Sequence, residues 1–99
     1  MYEEIDYNSF YRLIGDNIKR IRMEQNDSQE ALAEKIDMSR GFLSQVESPG
    51  LKGVGVSLDT LFRMCIVYDV DIREFFQGFE KLINIKNNPD IEIKEYVNN

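Results

Sequence analysis

The sequence predicts an all-α fold, and three observations carry the prediction. Apolar residues recur at the three-and-four spacing of a helix through successive short stretches. Serines at 28, 39 and 57 stand where a hydroxyl accepts the free amide hydrogens of a first helical turn. Two of the stretches are separated by only three or four residues, which leaves room for a tight turn and nothing else.

Taken in order, residues 1–8 are expected to form a mobile acidic arm, whose Tyr2, Ile5 and Tyr7 can alternatively pack on a neighbour. A helix is predicted from about Ser9 to Gln25. Phe10, Leu13, Ile14, Ile18 and Ile21 form its apolar stripe, and Lys19, Arg20 and Arg22 lie near its C-terminal end, where positive charge suits the helix dipole.

The segment Ser28 to Ser48 then carries two short helices. Ala31, Leu32, Ala33 and Ile36 face inward from the first and Leu43 and Val46 from the second, with Asp37 and Met38 at the turn between them. The second helix leaves Ser39, Arg40, Gly41, Ser44 and Gln45 on its other side, small or hydrogen-bonding residues of the kind that reach base edges and phosphates. Phe42 is expected to pack in the core, or else to sit beside the groove against a thymine methyl. A helix pair with one apolar seam and one donor-rich face points to a helix-turn-helix reader of double-stranded DNA.

The loop from Ser48 to Val56 holds Gly50, Gly53 and Gly55, and its free backbone amides together with Lys52 can hold a phosphate. No strand precedes it and no Gly-Lys-Ser/Thr follows, so a nucleotide-binding loop is not expected. Ser57 should cap a fourth helix to about Tyr68, with Leu58, Leu61, Phe62, Cys65, Ile66 and Tyr68 as a broad buried face. After a turn at Asp69 and Val70, the capping-box-like Asp71-x-x-Glu74 opens a fifth helix carrying Ile72, Phe75, Phe76 and Phe79. These aromatics either fill the core centre or contribute a dimer surface. The folded domain is therefore drawn at residues 9–79. Residues 80–99 form a C-terminal extension, read as a helix end followed by a strand or hairpin that serves dimerisation, or as a frayed tail.

Composition excludes several classes. The chain has no His and one Cys, so neither a metal set nor a nucleophile with its base can be assembled, and neither enzyme activity nor a cofactor or metal is expected. Cys65 is most simply a small core residue. No apolar run has the length of a membrane span, and the acidic start MYEEID has the wrong charge for a secretory signal, so a cytoplasmic location is expected.

The net charge of −6 opposes attraction to polyanionic DNA. Its distribution matters more than its sum. Residues 1–11 hold three acidic and no basic groups, 12–55 hold seven of each sign, and 56–99 hold five basic against eight acidic. The excess acidity thus lies outside the candidate reader. Lys19 and Arg20 can serve either as dipole complements or as phosphate contacts.

From about Ile14 to Phe76 the chain resembles the Xre/Cro and phage-repressor helix-turn-helix family. The residues that carry the resemblance are Ile18-x-x-Ile21-Arg22, Ser28-Gln29-x-x-Leu32-Ala33-x-x-Ile36, Ser39-x-x-x-Leu43-Ser44-x-Val46-Glu47 and Ser57-Leu58-x-Thr60-Leu61. The resemblance implies a five-helix repressor-like DNA-binding domain. It implies that Gln29 touches phosphate at the start of the second helix, that Ser39 meets the DNA backbone, and that Arg40, Gly41, Ser44 and Gln45 face the major groove. It also implies a structural ion pair between Arg22 and Glu47.

The chain departs from the family in five places. Asp37 and Asp69 stand where the family usually has Gly, Gly41 stands where a base-contacting side chain is common, the loop after Glu47 is longer than usual, and the usual Pro before Ser57 is missing. The expected function is sequence-specific transcriptional regulation, as a homodimeric repressor on a palindromic operator. The competing expectation is a protein-interaction module, such as an antitoxin or antirepressor-binding partner, favoured by the acidity and by Gly41.

Overall fold

The computed structural model describes residues 7–50 and 53–86. Among the described residues five α-helices follow one another: α1 Tyr7–Glu24, α2 Gln29–Lys35, α3 Arg40–Glu47, α4 Leu58–Tyr68 and α5 Phe79–Lys86, with a 3-10 turn at Ile72–Phe76 between the last two. Among the described residues no helix is long and apolar enough to cross a membrane. The expected strand or hairpin near the C-terminus and the position of Lys52 lie outside the described residues.

Local chemistry accounts for where these helices start. The hydroxyls of Ser28, Ser39 and Ser57 accept from the amides of Ala31, Phe42 and Thr60 at 3.0–3.1 Å, each satisfying a donor that the first turn leaves without a partner. The starts of α2, α3 and α4 are therefore encoded within four residues of sequence.

The ends are equally local. Asn26, Asp37 and Asp69 adopt left-handed backbone angles, φ 60°, 56° and 53°. In each case the next amide, of Asp27, Met38 or Val70, turns back to the carbonyl five residues earlier, the closure that normally recruits glycine. Asn and Asp enter this conformation more readily than other side chains, so the turns form without it.

α1 runs through the centre of the molecule. Ile14, Ile18 and Ile21 meet Leu32, Ala33, Ile36, Leu43, Val46, Leu61, Met64, Tyr68 and Phe75 in one core. Gly15 lies where α1 crosses α3, and a Cβ there would fall well inside contact distance of the Val46 carbonyl. The absent side chain lets the two helices touch backbone to backbone.

On another side of α1, the buried Asn17 amide donates to the carbonyls of Phe75 and Gln77 at 2.9 and 3.0 Å. These are groups that the short 3-10 turn cannot satisfy by itself.

Four expectations need correction. α1 begins at Tyr7, so Tyr7 and Asn8 belong to a helix and not to an arm, and the Asn8 carboxamide oxygen accepts from the Gly53 amide at 3.1 Å. The single fifth helix is two elements, because Gly78 takes φ +91° and breaks the chain between Phe76 and Phe79. Asp71 does cap the 3-10 turn, accepting from Arg73 at 2.8 Å, but Glu74 turns to Arg20 instead of completing a capping box.

A fourth correction concerns α4. It buries Leu61, Met64 and Tyr68 and half-buries Cys65, while Leu58, Phe62 and Ile66 stand in solvent. Its buried face is narrower than its apolar composition suggests, because all those residues exceed what one side of an eleven-residue helix can hide.

Candidate nucleic-acid interface

α3 turns three residues inward, Leu43, Val46 and Glu47, and the rest outward. At 100° per residue the centre of the outward face is the series Gly41, Gln45 and Ser48, all exposed. Arg40 and Phe42 flank it and are also exposed, whereas Ser44 is half-buried on the same side. Phe42 is 37% exposed and does not enter the core. Ser48 was missed in the sequence, although it continues the spacing of Gly41 and Gln45 by one further turn. Nothing approaches within 4 Å of where a Cβ on Gly41 would be, so this point of the helix is open to close approach.

The electrostatics of this face follow from how Glu47 is buried. Arg22 Nε and Nη2 donate to the two Glu47 carboxylate oxygens at 2.8 Å each, and Arg22 Nη1 donates to the Asp27 carbonyl at 2.6 Å. Gln29 Nε2 adds a third donor to Glu47 at 3.1 Å. The carboxylate raises the Arg22 pKa above its ordinary value, against the opposing effect of burial. The only acidic residue of α3 is thus neutralised inside the protein, and Arg40 is the single charge that α3 shows to solvent. A chain with a net charge of −6 thereby carries a helix whose exposed charge is positive.

The remaining residues expected at the interface divide. Ser39 caps α3, and because its oxygen only accepts from Phe42, its own hydrogen is available to a phosphate. Gln29 stands at the first position of α2 beside Glu47, joining α2 to α3 by its carboxamide. Lys19 is exposed on α1, one turn before Arg22.

Arg20 is gathered elsewhere. Its guanidinium donates to the Glu74 carbonyl at 3.1 Å and pairs with the carboxylates of Glu24 and Glu74 at 3.4 and 3.6 Å, which ties α1 to the 3-10 turn.

The loop after α3 is held from α1. Arg12 donates to the Gly50 carbonyl at 2.6 Å and Asn8 accepts from Gly53. A Cβ on Gly53 would collide with the Tyr11 side chain and the Asn8 carbonyl. This tether was not legible in sequence, since Asn8 and Gly53 are 45 positions apart.

The turn between α1 and α2 is fastened as well. The Asp27 carboxylate receives Lys35 Nζ at 2.6 Å and the Tyr68 hydroxyl at 2.8 Å, and both bonds lower its pKa, that of Lys35 more. Burial, and then the bond to Asp27, push the Tyr68 phenol upward.

A family model described as helix-turn-helix matches residues 18–75, the span from the middle of α1 to the 3-10 turn. The chain belongs to the Xre/phage-repressor-like helix-turn-helix family. Among solved structures, a chain of the SinR protein/SinI protein complex aligns with a TM-score of 0.57 at 26% sequence identity, over 86% of this chain and 88% of that one. No curated protein sequence matches. As a helix-turn-helix protein of this family, the chain is a DNA-binding transcription regulator, with α2 and α3 as the paired helices.

Proposed function

We propose that the protein is a sequence-specific repressor that acts as a homodimer in the cytoplasm on a palindromic operator. Two copies of α3 enter successive major grooves about one helical turn apart. Arg40 donates to guanine and Gln45 to adenine. Gly41 and Ser44 let the helix approach closely, while Gln29, Ser39, Lys52 and Lys19 fix the register on phosphates. Arg20 was read in sequence as a further phosphate contact, and its bonds to Glu24 and Glu74 favour a bracing role.

The observation that carries this reading is the neutralisation of Glu47, which leaves α3 with Arg40 as its sole exposed charge. Selection from random double-stranded DNA, run beside a mass measurement of the free protein, tests it. The expected result is an enriched site with twofold symmetry. Replacing Arg40 by Ala should weaken binding by about 1–3 kcal/mol and relax one base position in each half-site. A monomer that enriches no sequence overturns the proposal.

A second reading has its own support. The similar solved structure is of a complex between two proteins, and this chain is acidic overall, so a protein antagonist or antitoxin-like pairing is the alternative. A protein that binds no DNA at low salt, and is recovered from its source with a second polypeptide, would favour it.

A further inference from the structure

α3 has four exposed residues, Arg40, Gly41, Phe42 and Gln45, and the proposed function gives a task to all of them but Phe42. Phe42 is the one apolar residue that α3 turns to solvent, at 37% exposure. Leu43 and Val46, the other two apolar residues of the helix, are 0% and 1% exposed and belong to the core. The helix thus shows one cation, one carboxamide and one aromatic ring on its outer side.

The ring sits where base edges are met. Phe42 lies in the first turn of α3, and in a helix-turn-helix protein it is the N-terminal part of the second helix that contacts bases. The Ser39 hydroxyl accepts from the Phe42 amide at 3.1 Å, so the ring rides on the same turn as the proposed phosphate contact. Phe42 is three residues before Gln45, about 60° round the helix and about 4.5 Å nearer its start. Arg40 is on the opposite flank, about 160° away.

The chemistry of the groove names what such a ring can meet. A phenyl ring has no hydrogen-bonding group to offer the nitrogens and oxygens that mark guanine, adenine and cytosine in the major groove. Set against them, it would displace water and return no hydrogen bond, which is a net cost. The C5 methyl of thymine is the apolar group on the major-groove edge of the bases. Set against that methyl, the ring removes apolar surface on both sides from water.

We infer that Phe42 is a specificity-determining residue that selects a thymine in each half-site through its C5 methyl. This rests on α3 entering the major groove as proposed above, and adds a third kind of base to those assigned to Arg40 and Gln45.

The test uses the full chain and the operator recovered from random double-stranded DNA. Each thymine of a half-site is replaced in turn by deoxyuridine, which keeps the base pair and loses only the methyl. Wild type should bind about fourfold more weakly at one such position, the loss expected for one methyl returned to water. Phe42→Ala should bind the unmodified operator more weakly and no longer distinguish thymine from deoxyuridine there. Phe42→Gln, which keeps bulk on the helix, should lose the distinction too, and Phe42→Leu should retain part of it. Circular dichroism follows the fold of each variant.

A purely structural role for Phe42 would weaken binding to all these operators alike and leave the fourfold ratio in place. That result overturns the inference, as does a wild type indifferent to every deoxyuridine or a half-site without thymine. In each of these cases α3 still stands as the reader if Arg40→Ala relaxes its own position. A wild-type chain that selects no sequence overturns both.

Discussion

Arg22, in the last turn of α1, grips Glu47, the last residue of α3, through two N–H···O bonds of 2.8 Å. The carboxylate has no exposed side-chain surface. Removing one partner strands the other charge in the interior. Glu47→Ala or Arg22→Ala should therefore destabilise the fold by about 3–5 kcal/mol, whereas the double replacement Arg22→Met/Glu47→Leu should recover most of that loss. Urea denaturation of the three variants measures it. A double variant no more stable than the singles would refute the account.

Gly15 should tolerate no side chain. Gly15→Ala forces α1 away from the Val46 carbonyl, and overpacking of this kind costs about 1–3 kcal/mol, enough to cancel the gain in helix propensity. Because the displacement also shifts α3, operator affinity should fall even at temperatures where the variant remains folded. Thermal melting and a gel shift on the same samples separate the two effects.

Gly41 should behave in the opposite way. Open space surrounds it, so Gly41→Ala should stabilise α3 by about 0.5–1 kcal/mol. If the helix uses that gap to approach DNA, the stabilised variant should bind its operator more weakly. An equal or tighter complex would assign Gly41 no part in recognition.

The tie at Asp27 should make stability depend on pH at both extremes. Its folded-state pKa lies below the ordinary 3.8, so its contribution is fully present above that value and is lost as pH falls through the folded-state value. The Tyr68 phenol is shifted upward from 10.0. Its contribution is complete below pH 10 and is lost as pH rises through the folded-state value. The stability difference between wild type and Asp27→Asn should therefore shrink on acidification, and that between wild type and Tyr68→Phe should shrink in alkali. Urea midpoints across the pH range check both. A difference for Asp27→Asn that stays constant from pH 6 to pH 2 would count against the tie.

What could be read from the sequence is what is encoded locally. The serine caps at 28, 39 and 57 lie within three residues of the amides they serve, and the turns at Asp37 and Asp69 need only a side chain that accepts a left-handed backbone. The outward positions of α3 follow from its periodicity. Gly15, Asn17 and the Asn8–Gly53 contact were not legible, because each depends on a surface brought up from a distant part of the chain. The apolar face of α4 was misread for a related reason. Periodicity marks apolar residues and cannot say which of them the rest of the chain covers. The boundary at Gly78 failed because a helical apolar pattern continues across it while the backbone does not.

The two polar contacts that Asn17 makes with Phe75 and Gln77 set a limit on how this protein can be redesigned. Together with Gly15 and Arg22 they make α1 a keel to which the reading helix and the C-terminal half are fastened separately. New operator preferences should therefore be obtained by rewriting positions 40, 41, 44, 45 and 48 in place. Transplanting α2 and α3 as a block would carry Glu47 and the Val46 carbonyl into a host without their counterparts, and the graft would fail before it met DNA.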